Sequence, residues 1–143
     1  VISMSFRAAR GGFFDKKRVL SATTRAERQV LSRFGAFVRR RAKSSIRKRK
    51  AISNPGAPPS SHVGTYRRLI FFSYDPGRRS VVIGPTQNRV GSAVPRLLEK
   101  GGDVTVKTKR GIARLRYRAR PHMGPAFKAE LPGVPQLWRN SVK

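Results

Sequence analysis

Residues 24–50 read TRAERQVLSRFGAFVRRRAKSSIRKRK, and this stretch decides the architecture. Thr24 and Glu27 have the spacing of a capping box, in which hydroxyl and carboxylate each satisfy an orphan backbone N–H at a helix start. Leu31, Phe34, Val38, Ala42 and Ser45 follow at spacings of 3, 4, 4 and 3, which is one face of a helix. Arg40, Lys43, Arg47 and Lys50 fall at 3, 4 and 3 and project from roughly the opposite face. Arg41 points close to the apolar stripe, so it must snorkel or find one of the chain's few acids. The pattern predicts a long helix stopped by Asn54-Pro55-Gly56, with Pro58-Pro59-Ser60-Ser61 continuing the break.

On the N-terminal side, residues 1–20 hold Gly11-Gly12, the pair Phe13-Phe14 and scattered basic residues. They read as an arm with little regular structure, whose aromatics dock on a neighbour. Residues 21–143 read as a single domain. Beyond the proline-rich loop, Tyr66 to Tyr74 and Ser80 to Ile83 are strand-like around Asp75-Pro76-Gly77, where Pro sets φ and Gly is expected to supply a positive φ. Ala93 to Lys100 reads as a short helix closed by Gly101-Gly102. Residues 104–108 and 112–117 alternate with period 2 around Lys109-Arg110-Gly111, a second hairpin with Ala113, Leu115 and Tyr117 on one face. From Pro121 onward the pattern holds one or two short helices, broken at Leu131-Pro132-Gly133. A helical first half and a strand-rich second half place the chain in the α+β class.

The chain has 143 residues, a single-domain length, and only 38% of them are apolar. Thirty-three Lys and Arg against six Asp and Glu give a net charge of +27. Such self-repulsion favours polyanions or acidic protein surfaces as neighbours. The charge is no basic tail: residues 1–53 carry +14 and residues 54–143 carry +13. Cysteine is absent, which fits a reducing compartment. The longest apolar runs are strand-sized, far short of the ~20 residues of a spanning helix, so no membrane role is expected. Val1-Ile2-Ser3-Met4 lacks the apolar core of a secretory signal.

Catalysis is disfavoured by what the residues offer. His62 and His122 stand sixty residues apart without cysteine, so no metal or cofactor is expected, and each reads as a loop histidine bonded locally. Ser61-His62 are chain neighbours in a loop and point apart, unlike a nucleophile and its base. Glu99 and Asp103 are the only close acidic pair, too few for a Mg²⁺ cluster. Gly101-Gly102 is not followed by the Gly-Lys-Ser/Thr of a phosphate loop. Phe71, Phe72, Tyr74 and Tyr117 would make a base-stacking platform, but at alternating strand positions they read first as half core, half interface. From Arg39 to Lys50 eight of twelve residues are basic, and no acid lies between Glu27 and Asp75. An ordinary solvated face mixes signs. Arg39, Arg40, Lys43, Arg47, Lys48 and Lys50 are therefore read as contacts to a polyanion or an acidic partner.

An ordered series in the second half carries a resemblance. It runs through Ser61-His62-Val63-Gly64-Thr65-Tyr66-Arg67-Arg68-Leu69-Ile70 and Ser80-Val81-Val82-Ile83-Gly84-Pro85. It continues through Val94-Pro95-Arg96-Leu97-Leu98-Glu99-Lys100-Gly101 and Arg120-Pro121-His122-Met123-Gly124-Pro125-Ala126-Phe127. Over roughly residues 22–142 the chain resembles the tailed-bacteriophage neck or tail-completion proteins, small head–tail joining subunits often described as putative tail components. Lys100 and His122 stand where that family usually has an aromatic, and Tyr66 where an aliphatic is usual. The resemblance implies a long helix packed on a mostly antiparallel sheet, with short C-terminal helices and an extended N-terminal arm. It implies a non-enzymatic virion protein, in host cytoplasm during assembly. Six or twelve copies would form a ring around double-stranded DNA, between portal or adaptor and tail-tube or terminator proteins. Phe13, Phe14, Glu99, Pro121, Met123 and Trp138 are then the subunit-contact candidates.

Magnitudes limit the DNA reading. A globule of this size spans roughly 35–40 Å, a height of duplex with only about 20–24 charges. Six copies at +27 carry about +162, so only a subset of the basic residues can face a threaded duplex. The competing expectation is a non-specific nucleic-acid-binding protein of ribosomal or nucleoid type. A small nuclease would need an acid cluster that the sequence lacks.

Overall fold

The computed structural model describes residues 15–86, 93–108 and 111–142. Phe13 and Phe14, and with them most of the expected arm, lie outside the described residues. The fold is α+β: one long helix, three small two-stranded sheets and short C-terminal helices.

Helix α1 runs Lys16–Ser45, so its ends differ from those read in the sequence. It begins two turns before Thr24, and residues 16–20 are helix rather than arm. Asp15 is the N-cap, its carboxylate accepting from the Arg18 backbone N–H at 3.0 Å. Thr24 donates instead to the Leu20 carbonyl at 2.9 Å, in mid-helix. A Thr-x-x-Glu spacing also arises inside a helix, and the exposed first turns show no apolar periodicity to mark them. At the far end, Ser44 and Ser45 donate to the carbonyls of Arg41 and Ala42, competing for the last turn's acceptors. Ile46 then turns extended and is buried. Burial of Ile46 ends the helix five residues before the basic run does.

The buried face of α1 is an i, i+4 ladder of Ala26, Val30, Phe34, Val38 and Ala42, while Leu31 and Ser45 are only half-buried. The core joins this ladder to Ile46, Ile70 and Ala126, with Tyr66, Val81, Ile83, Met123, Val134 and Leu137 packed around it. Phe34 meets Phe127 edge to face, ring centroids 5.4 Å apart. Gly35 lets the first hairpin approach closely: a Cβ there would lie 2.7 Å from Val81 Cγ2 and 2.8 Å from Phe72 Cδ2.

After α1, β1 (Arg47–Lys48) pairs in parallel with β2 (Ser60–Ser61). The loop between them is laced to the far chain, Gly56 N–H to Ala119 carbonyl at 2.9 Å and Arg120 Nε to Ser53 carbonyl at 3.0 Å. A single helical turn, α2 (Thr65–Arg68), precedes β3 (Ile70–Asp75), which pairs antiparallel with β4 (Ser80–Pro85). In that hairpin Asp75 accepts from the N–H groups of Gly77 and Arg78 at 3.0 and 3.2 Å. The residue with positive φ is Arg79, at 49°, and not Gly77. Its guanidinium is held by the buried Glu27 carboxylate, and that pair offsets the strained backbone.

Helix α3 (Ala93–Lys100) leads into β5 (Gly102–Thr108), paired antiparallel with β6 (Gly111–Tyr117), Val104 opposite Leu115 and Val106 opposite Ala113; Gly111, read as part of the turn, is the first residue of β6. Gly101 closes α3 at φ 73° and lies so near Ala119 N and Tyr117 O that a Cβ would sit 2.9 Å from each. The two hairpins do not join into one sheet. Only the first packs broadly on α1. The chain closes with α4 (Met123–Glu130), a 3₁₀ turn (Leu131–Gly133) and α5 (Val134–Trp138), both helices lying against α1.

Candidate polyanion-binding face

The placement of the six carboxylates organises the surface. Asp15 caps α1, and Asp75 holds the first hairpin turn. Glu27 pairs with Arg79, Glu130 with Arg41 and Asp103 with Arg114. Arg41 thus finds an acid, as its position near the apolar stripe required. Glu99 accepts from three backbone N–H groups at the start of α4: His122 at 3.0 Å, Met123 at 3.1 Å and Gly124 at 2.7 Å. All six acids of the chain are therefore engaged within it. Among the described residues, every Lys and Arg other than Arg41, Arg79 and Arg114 lacks a carboxylate partner.

The predicted basic residues fall into two groups. Arg39, Arg40 and Lys43 stand on α1, whereas Arg47, Lys48 and Lys50 stand on the extended segment after it. The stripe is thus not one continuous helical face, because Ile46 breaks the helix between its halves. Arg39 Nε donates to the Ile70 carbonyl at 2.9 Å, and its guanidinium carbon lies 5.6 Å from the Phe71 ring centroid. Lys43 Nζ lies 5.7 Å from the same centroid, and Arg40 lies 5.7 Å from the Phe37 centroid. Burial, then the charges of Arg39 and Arg67, holds the Lys43 pKa below its ordinary value. Phe71 is exposed while Phe72 faces the core side against Gly35. The strand alternation was legible in the sequence; that cations gather on its outward ring was not.

The subunit-contact candidates are placed less uniformly. Glu99 turns inward, as the anchor of α4, because the partial positive end of that helix and three N–H donors hold it there. Burial alone would raise its pKa; the N–H donors and His122 outweigh burial and hold it below the ordinary value. Pro121 and Met123 are half-buried, Met123 against the core. Trp138 is 40% exposed.

His122 is no local loop histidine. Its side chain is buried, its Nε2 lies 3.1 Å from the Tyr66 hydroxyl, and its Nδ1 lies 3.2 Å from Glu99, too oblique for a hydrogen bond. Tyr66 and His122 are in contact with each other, their rings edge to face with centroids 5.4 Å apart. Burial lowers the His122 pKa, and burial with the Glu99 charge pushes Tyr66 up to about 12. His62 is exposed.

Two features escaped the sequence reading. A concavity of about 340 Å³ between α1 and the C-terminal residues is lined by Arg25, Gln29, Arg33, Leu137 and Arg139. The i, i+4, i+8 spacing of Arg25, Gln29 and Arg33 was its available signal. A groove of about 480 Å³ lies between α3 and the second hairpin, lined by Val94, Leu97, Leu98, Val104, Val106 and Tyr117. No family model, curated protein or solved structure matches the chain. Among the described residues no group of three acids or histidines comes together as a metal site, and no helix is long and apolar enough to cross a membrane.

Proposed function

We propose that the chain is a non-enzymatic structural subunit of the head–tail junction of a tailed bacteriophage. In this reading six or twelve copies form a ring around the DNA path, joining the portal or adaptor side to the tail tube or terminator. The observation that carries it is the internal engagement of all six carboxylates. The positive charge of this molecule has to be complemented from outside, by DNA or by acidic neighbouring subunits.

Support also comes from the second hairpin. Ile112, Leu115 and Tyr117 are exposed on it, and the α3 groove beside it is apolar. A free nucleic-acid-binding protein of ribosomal or nucleoid type needs no such surface, whereas a subunit that buries it against neighbours does. The ordered resemblance adds the place in the particle.

Negative-stain imaging of the purified protein, with cross-linking of intact particles, tests the reading. In particles a ladder of cross-linked oligomers ending at six or twelve is expected; the purified protein is expected as a monomer or a mixture of states, and any rings it forms support the reading. One uncross-linked copy per particle would sink it.

A further inference from the structure

Arg39 and Lys43 gather on the ring of Phe71, and Arg67, four residues before that ring in the chain, adds its charge to Lys43. Arg39 and Lys43 are half-buried, and both place their charges over the exposed Phe71 ring, at 5.6 and 5.7 Å from its centroid. The bond from Arg39 Nε to the Ile70 carbonyl at 2.9 Å fixes the guanidinium and leaves its terminal N–H groups without an acceptor among the described residues. The side chains of Lys43 and Arg67 have no hydrogen-bond acceptor among the described residues. Burial and the neighbouring charges of Arg39 and Arg67 disfavour the charged form of Lys43. Cations gathered while losing water are unfavourable until an anion completes them. No carboxylate of this chain is available to do so.

We propose that Arg39 and Lys43, gathered on Phe71, form with Arg67 a binding site for the phosphodiester backbone of nucleic acid. The proposal deepens the structural-subunit reading by naming which few cations meet DNA, and it rests on that reading for the presence of a duplex. Phosphates succeed one another closely along a strand, about one charge per 1.7 Å of duplex axis. That density suits two cations held over one ring with a third close to them in the chain. An arginine fixed through Nε presents the planar fork that suits phosphate oxygens. Asn and Gln side chains, the usual readers of adenine, are missing from the cluster, so contact is to backbone and blind to sequence. Phe71 holds the two long side chains in place, which lowers the ordering cost of binding.

The test is duplex binding by fluorescence anisotropy over a salt series, using two unrelated sequences. The triple variant Arg39→Gln, Lys43→Gln, Arg67→Gln is expected to bind both at least about tenfold more weakly. Its log–log salt slope should be shallower by about 2.7, three contacts at about 0.9 each. A control triple, Arg96→Gln, Arg116→Gln, Arg118→Gln, removes the same charge from α3 and around the second hairpin and should stay within about threefold of the parent. Arg39 also ties α1 to β3, so the double variant Lys43→Gln, Arg67→Gln, which breaks no side-chain hydrogen bond among the described residues, carries the same test with a slope change of about 1.8.

Equal weakening in the two triple variants overturns the site and leaves only a diffuse field. Retained duplex binding with loss of a polyglutamate probe overturns it in favour of an acidic protein surface. Loss of inorganic phosphate binding alone, with duplex binding unchanged, overturns it in favour of free phosphate. Ring formation is read separately. A single copy per particle, together with the cluster-specific DNA loss, refutes the subunit reading and keeps the site.

Discussion

Glu99, His122 and Gly35 carry more structural weight than their surroundings suggest. Glu99→Ala leaves three N–H donors at the start of α4 without their acceptor. It is expected to cost about 1–3 kcal/mol, read as a lower urea midpoint at unchanged m. Burial holds His122 below the ordinary imidazole range, so on acidification the unfolded chain takes up that proton first. The unfolding free energy should therefore fall as pH drops through about 6.5, by at most about 1.4 kcal/mol per pH unit. Glu99 acts in the same direction lower down: its depressed folded pKa contributes stability that is lost as pH falls from the ordinary carboxyl range through the folded value. A His122→Gln variant should flatten the upper leg and keep the lower one, as seen in urea melts across pH. Gly35→Ala puts a methyl 2.7 Å from Val81 and 2.8 Å from Phe72, an overpacking expected to cost about 1–3 kcal/mol.

Among the elements, α1 is the scaffold, and α5 is a short helix held to it on one side. The α1 ladder meets the first hairpin, α4 and α5 in turn, so most of the core is assembled on one element. In α5, Leu137 packs toward that core while Trp138 stays 40% exposed. A buried tryptophan replaced by alanine costs about 3–5 kcal/mol. Trp138→Ala in the isolated subunit should cost clearly less, and Leu137→Ala should cost more than Trp138→Ala. Thermal melts of the two variants decide the order. If Trp138 serves assembly instead, its loss appears in particle yield.

For the whole molecule, charge without internal partners is the dominant property. Arg47 and Lys50 are exposed and lie beyond the helix. Reversing both to Glu should leave the isolated fold within about 0.5 kcal/mol, as surface changes usually do. The same change should impair particle maturation or DNA retention, measured as infectivity and packaged DNA per particle. Fully infectious particles with normal DNA content would make this segment a solvated face only.

The sequence by itself determined the local elements. Apolar spacing marked α1, period-2 alternation marked both hairpins, and glycine and proline marked most of the breaks, because these patterns act within a few residues. It also determined the excess of cations over acids, since composition alone sets it. Only tertiary structure decided where α1 stops, since that depends on Ile46 finding a core built partly by Ile70 and Ala126. Tertiary structure likewise turned Glu99 inward, brought His122 to Tyr66 across 56 positions, and set Arg79 rather than Gly77 in the left-handed region. The basic cluster followed the same logic: Arg39 and Lys43 are neighbours on a helix, but Phe71 reaches them only through the packing of β3 on α1. Long-range contacts choose among side-chain partners that local spacing leaves equivalent, and a site made from such partners becomes visible only once the chain has packed.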